Sequence, residues 1–159
     1  MGLEIVKQLV GHVQKVVIVD IAEPAASNLM SNGTVSFIKC DLSKPNAVLE
    51  NLVPKLKQYC NGRNIILINN AGCHASAYIR DPSELGKKYE PGELVKRTFN
   101  VNFFAAVDLI EALFDNIHHV INIASVLSSL GLPALSDYGS SKSALTCYHE
   151  SLHFEIIQR

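Results

Sequence analysis

Asn64-Ile-Ile-Leu-Ile-Asn-Asn-Ala-Gly72 is a run of four apolar residues, three of them β-branched, closed by two asparagines and a glycine. The run is too short for a buried helix and ends in turn formers, so it predicts a strand over 64–69 with a turn at its carboxyl end. Three stretches of the same character lie to either side: Lys15–Asp20, Val35–Cys40 and His118–Ala124. Between them run segments of helical periodicity: Leu3–Val10, Pro45–Cys60, Glu93–Phe114 and Ser136–Ile157. The second carries Val48, Leu49, Leu52, Val53 and Leu56, with Pro54 expected to kink or split it. Short apolar strands alternating with amphipathic helices are the pattern of an α/β protein: a parallel sheet whose crossover helices cover its faces.

Composition sets bounds on function. With 159 residues, 48% of them apolar, the chain reads as one domain, 1–159, with a real core. A formal charge of −1 leaves no basic surface for nucleic acid or an anionic membrane, which points to a small-molecule partner. No apolar run approaches the ~20 residues needed to span a bilayer. Met1-Gly2 opens like a myristoylation signal, but Val6 stands where Ser or Thr is required. Cys40, Cys60, Cys73 and Cys147 are scattered without a CxxC, and no signal peptide precedes them, so a reduced, cytoplasmic setting is expected. The irregular stretch Cys73–Pro91 is expected to be a surface connection, with a binding loop or lid as the alternative.

The chemistry concentrates near the C-terminal helix. In Ser136-Asp-Tyr-Gly-Ser-Ser-Lys-Ser143, four residues separate Tyr138 from Lys142, which puts both on one helix face. An ammonium beside a phenol favours the phenolate and brings its proton exchange toward neutral pH, making Tyr138 a candidate acid/base. Ser125 closes the strand His118–Ala124, at the end of an α/β sheet where ligands bind, so its hydroxyl is placed to polarise a substrate oxygen. A competing motif lies further along the same helix: His149-Glu-Ser-Leu-His153 is formally H-E-x-x-H, the spacing of a zinc hydrolase. It lacks an evident third ligand in the six residues that follow.

Asn69-Asn-Ala-Gly72 after a strand, Val101-Asn102 in the next helix, Asp41-Leu42 after the second strand, and the Ser125, Tyr138, Lys142 set occur in one order. In that order and spacing the chain resembles the short-chain dehydrogenase/reductase family from Gly2 to its end. The resemblance implies a Rossmann-like doubly wound parallel sheet with helices on both faces, and hydride transfer between NAD(P) and an alcohol or carbonyl. It implies that Tyr138 donates and accepts the proton, Ser125 binds the substrate oxygen, Lys142 lowers the tyrosine pKa and holds the nicotinamide ribose, and Asn102 supports a water on the lysine. It also implies that Asn70, Ala71 and Gly72 line the adenosine side, that Asp41 and Leu42 contact adenine, and that helices 93–114 and 136–157 build a homo-oligomer or mixed oligomer. A weaker local likeness, in Val95–Phe104 and Lys39–Lys44, is to the branch that acts on lipophilic alcohols such as steroids and retinol.

Asp20 adds a physical argument about the cofactor. A carboxylate at the end of the strand after the first helix accepts both ribose hydroxyls of NAD and repels a 2′-phosphate, so NAD is expected over NADP; the competing role is to cap the following turn. The family's glycine fingerprint is represented only by Gly2, its last glycine. The strand before it and the strands after the catalytic helix have no counterpart in these residues, so the sheet is expected to lack its first, central strand and its C-terminal strands. Impaired cofactor binding follows from that expectation, as does a second function class: a non-catalytic partner of a longer relative.

Overall fold

The computed structural model describes residues 1–25, 27–30, 33–60, 62–75, 90 and 92–157. In chain order the elements are α1 (Gly2–Leu9), β1 (Val16–Asp20), α2 (Ser27–Met30), β2 (Val35–Lys39), α3 (Val53–Cys60), β3 (Ile65–Asn69), α4 (Glu93–Phe99), α5 (Ala105–Leu113), β4 (Ile117–Asn122) and α6 (Ser136–Ile157). Every strand and helix expected from periodicity is present, most with ends displaced by a residue or two; the helix expected from Pro45 begins as a π turn at Val48 and becomes α3 at Val53, and the one expected over Glu93–Phe114 is divided into α4, a π turn and α5. The one-turn helix α2 has too few residues to carry a periodic signal. The stretch Cys73–Pro91, expected to be a surface connection with a lid or binding loop as the alternative, falls mostly outside the described residues.

Both β-ladders are parallel. β1 pairs with β2 from Val16↔Val35 to Asp20↔Lys39, and β3 pairs with β4 from Ile65↔Ile117 to Asn69↔Asn122, with an irregularity between Ile65 and Ile66. Among the described residues no ladder joins β1 to β3, so the strands form two separate pairs. This is the doubly wound arrangement with the place between β1 and β3, where a central strand was expected to be lacking, unbridged by a ladder.

One apolar layer spans both pairs. Ile38 of β2, Leu52 and Val53 at the start of α3, and Leu109 and Leu113 of α5 are buried together, and Val17, Val19, Ile65, Leu67 and Ile117 pack onto them. Helices α3 and α5 therefore cover a single continuous face made from the two strand pairs. Alternation sends Ile66 and Ile121 to the opposite face, where they are 53% and 44% exposed.

Two helices widen into π turns. Val48–Leu52 is a π turn running directly into α3, and Pro54 is the second residue after the handover. Proline lacks the N–H and crowds the carbonyl four residues back, and the wider turn relieves both. The expected kink is thus a change of helix type. Asn100–Phe104 is a second π turn joining α4 to α5. Gly92, with φ +79°, takes the left-handed conformation that starts α4, one that costs other residues strain.

Candidate active site

Several candidate residues lie at or just after the carboxyl ends of the parallel strands. Asp20 ends β1, Asp41 and Leu42 follow β2, Asn70 to Gly72 follow β3, and Ser125 follows β4 in extended backbone at φ −153°, ψ 155°. The rim at β3 and β4 is tied by Asn69 Nδ2 donating to Asn122 Oδ1 at 2.7 Å and by Ile123 N–H donating to Asn69 O at 3.0 Å. Ser125 Oγ accepts Leu127 N–H at 3.2 Å and so caps the short 3₁₀ turn Val126–Ser128. That turn is fastened to α6 by Ser143 Oγ donating to Ser128 O at 2.6 Å and Thr146 Oγ1 donating to Ser128 Oγ at 3.2 Å. Gly139 makes the approach close: a Cβ there would stand 3.3 Å from the Leu127 carbonyl oxygen. A glycine inside a helix costs about 1 kcal/mol against alanine, and that cost is the one mark this approach leaves in the sequence.

Tyr138 and Lys142 lie one turn apart on α6, with Lys142 Nζ 6.0 Å from the centroid of the Tyr138 ring. Lys142 is only 3% exposed, and its ammonium donates to Ile123 O at 2.6 Å. Burial pushes it below the usual lysine range. Gly72 passes directly over this group, since a Cβ there would meet Asn102 Oδ1 at 3.6 Å and Lys142 Nζ at 3.7 Å. Ala71 and Leu42 share with Asn102 a cavity of about 20 Å³, room for one water.

Asn102, in the π turn, is 2% exposed and holds the segment after β3 by both backbone groups of Cys73. Its Oδ1 accepts Cys73 N–H at 2.8 Å, and its Nδ2 donates to Cys73 O at 2.9 Å and to Ser141 Oγ at 2.9 Å. Ser141 Oγ in turn donates to Tyr138 O at 2.7 Å. Asn100 points away, donating to Ser43 O at 2.9 Å, as its two-residue offset requires. Burial also pushes the Cys73 thiol up, away from thiolate chemistry.

The remaining candidates are more dispersed. Gly2 starts α1 against Asn70, where a Cβ would come within 2.9 Å of Asn70 Nδ2. Asn70 Oδ1 is buried with no hydrogen-bond partner among the described residues. Asp20 Oδ1 accepts Ala22 N–H at 3.3 Å, so it does cap the following turn while its carboxylate stays at the surface. Asp41 Oδ1 accepts the Ser43 hydroxyl at 2.6 Å and its N–H at 3.0 Å, which holds the carboxyl below the usual range. His149 Nδ1 accepts from Asn122 Nδ2 at 3.1 Å. Among the described residues no group of three or more His, Cys, Asp or Glu side chains is placed to hold a metal, and no helix is long and apolar enough to cross a membrane.

Parallel strand pairs under crossover helices define a Rossmann-like α/β chain, with a tyrosine, lysine and serine gathered at the carboxyl ends of its strands. It belongs to the short-chain dehydrogenase family, whose model matches residues 1–159. It is 29% identical over 159 residues to dehydrogenase RED2 of Cochliobolus heterostrophus, covering 99% of this chain and 57% of that protein. It is 30% identical over 164 residues to the uncharacterized oxidoreductase YDL114W of Saccharomyces cerevisiae, covering 99% and 50%. The chain thus spans about half the length of these curated relatives. A short-chain dehydrogenase/reductase from Burkholderia vietnamiensis shares the fold with a TM-score of 0.81 at 20% identity, over 96% of this chain and 71% of that one. So does a metagenomic short-chain oxidoreductase crystallised with NADP, with a TM-score of 0.79 at 22% identity, over 99% and 70%.

Proposed function

We propose that this chain carries the proton-transfer centre of a short-chain dehydrogenase that moves a hydride between NAD(P) and an alcohol or carbonyl substrate. The observation that carries this reading is Lys142: an ammonium 3% exposed, bonded to one backbone carbonyl, beside the ring of Tyr138. Among the described residues this ammonium donates to Ile123 O, and ribose hydroxyls suit an ammonium's further donors. The nicotinamide, when bound, supplies the hydride chemistry. Tyr138 gives or takes the proton at the substrate oxygen, and Lys142 stabilises its phenolate. Ser125 presents its hydroxyl to that same oxygen. Asn102 sets the backbone over Lys142 through Cys73.

For the cofactor, Gly2, Asn70, Ala71 and Gly72 form the near rim and Asp41 with Leu42 the adenine side. Asp20 favours NAD over NADP, because its carboxylate repels a 2′-phosphate. A lipophilic substrate is favoured by the apolar surface following Ser125: Val126 is 77% exposed, Leu130 54% and Leu132 47%.

The test is reduction of NAD or NADP by a panel of aliphatic and polycyclic alcohols, comparing the chain with its Tyr138→Phe variant. Turnover is expected to fall about 10²- to 10⁴-fold on loss of the phenol. Activity equal in both proteins would sink the proton-transfer assignment, and a chain that neither binds nor turns over either nucleotide would sink the dehydrogenase reading.

A further inference from the structure

The residue immediately ahead of Tyr138 takes no part in the chemistry proposed so far, yet its carboxylate is buried and tied to two other elements. Asp137 is 6% exposed, and the only ion pair among the described residues is the surface one between Lys7 and Glu4. A carboxylate taken out of water without a cation carries a large desolvation cost unless donors and dipoles replace the water. Asp137 has both. Its Oδ2 accepts the Thr98 hydroxyl at 2.6 Å and the Ala75 N–H at 3.0 Å, and it lies in the first turn of α6, where the helix dipole favours an anion.

Three separate pieces of chain therefore meet on one oxygen: α4 through Thr98, itself 1% exposed, the segment after β3 through Ala75, and the start of α6. Asn102 grips the same segment two residues earlier, through both backbone groups of Cys73. Between the two anchors stands His74. Its ring meets Tyr138 edge-on, with centroids 5.8 Å apart and planes at 77°.

We propose that Asp137 is a positioning residue: through Ala75 and Thr98 its carboxylate seats His74 against Tyr138 and so fixes the phenol for proton transfer. This rests on the reading of Tyr138 as the proton-transferring group, but the seating can be observed without turnover.

The full chain, labelled with ¹³C at histidine and tyrosine, is compared with Thr98→Val, Thr98→Ser and Asp137→Asn under conditions where each melts cooperatively. A nuclear Overhauser effect between the His74 and Tyr138 rings is expected in the parent chain and in Thr98→Ser, which keeps the hydroxyl. It is expected to vanish in Thr98→Val and Asp137→Asn. In an alcohol assay the same two variants are expected to lose kcat by about 10- to 100-fold, as for a misplaced reacting group. Their KM for the nucleotide should stay within about twofold, with Thr98→Ser restoring kcat, a split that general loosening of the fold would not give. Absence of the Overhauser effect in the parent chain overturns the proposal. So does its survival in both Thr98→Val and Asp137→Asn, or its disappearance there with kcat unchanged. A parent chain whose rings stay together but which turns over no alcohol sinks the dehydrogenase reading alone, and the positioning claim then stands or falls on the spectra.

Discussion

A lysine ammonium held 3% exposed by one backbone carbonyl is a costly arrangement for a fold to keep. Burial lowers its pKa, so the folded chain releases this proton at lower pH than the unfolded chain does. Between those two pKa values the unfolded state binds more protons, and stability rises with pH. Lys142→Met removes a buried charge worth several kcal/mol of desolvation and leaves Ile123 O short of one donor at about 1–3 kcal/mol, so a net gain of about 1 kcal/mol is expected near neutral pH. Urea melts from neutral pH up to the ordinary lysine range, about 10.4, check this: the variant's advantage should shrink as pH climbs toward that value, and a variant weaker at every pH would show that the ammonium stabilises the fold. Asn102 acts in the other direction. Asn102→Ala strips Cys73 of partners for both backbone groups and leaves Ser141 Oγ without its donor, so a loss of about 2–4 kcal/mol is expected in the same melts. At this scale the sequence offers Tyr138 and Lys142 through helical spacing and Ser125 through its strand end, which are local signals, and Asn102 only through the family resemblance. It is silent on Asp137 and Thr98, whose bond joins residues 39 apart, and on Asp137 with Ala75, which are 62 apart. A contact made only by tertiary folding leaves no periodicity to read.

Elements are legible to the degree that they repeat. The four β-branched runs are β1 to β4, and α6 spans Ser136–Ile157 as the spacing predicts. The π turns at 48–52 and 100–104 escape a sequence reading, because a single i+5 turn shifts hydrophobic phase by less than one residue's ambiguity. The start of α6 shows what a short motif can still hide. Leu135 N–H donates to Leu132 O at 3.3 Å around Pro133 and Ala134, and Ala134 has φ +61°. Proline second and a positive φ third is the pattern of a type II turn, where glycine is the unstrained choice. Alanine in the left-handed region costs about 1–2 kcal/mol, and glycine returns about 0.4–1 kcal/mol of that as unfolded-state entropy. Ala134→Gly is therefore expected to stabilise the chain by up to about 1 kcal/mol, read as a higher midpoint in thermal melts monitored by circular dichroism. A lower midpoint would mean that this turn is not the one that launches α6.

At the scale of the whole molecule the two strand pairs are joined by helices and, among the described residues, by no ladder, and this sets a distinctive pattern of backbone exposure. In a parallel strand, alternate residues send both N–H and C=O to the same neighbour. Val16 N–H bonds Thr34 O, Cys40 N–H bonds Asp20 O, and Ile123 N–H bonds Asn69 O, which fixes the alternation on both pairs. Val17 and Val19 of β1, and Ile66 and Ile68 of β3, then direct their N–H groups away from β2 and β4. Ile18 and Leu67, beside them in sequence, are tied into ladders. The side chains of Val17 and Val19 pack into the same apolar layer as Leu67, so faster exchange at these amides would come through the strand edges rather than through a loose core. In hydrogen exchange followed by NMR on dilute chain, Val17, Val19, Ile66 and Ile68 are expected to exchange about tenfold or more faster than Ile18 and Leu67, as unpaired edges do. Raising protein concentration tests what such edges invite. If a second copy supplies a strand, the four amides slow together while Ile18 and Leu67 do not change. Equal protection of all six amides at every concentration would mean that β1 and β3 are bridged, and the account of two strand pairs held only by α3 and α5 would fail.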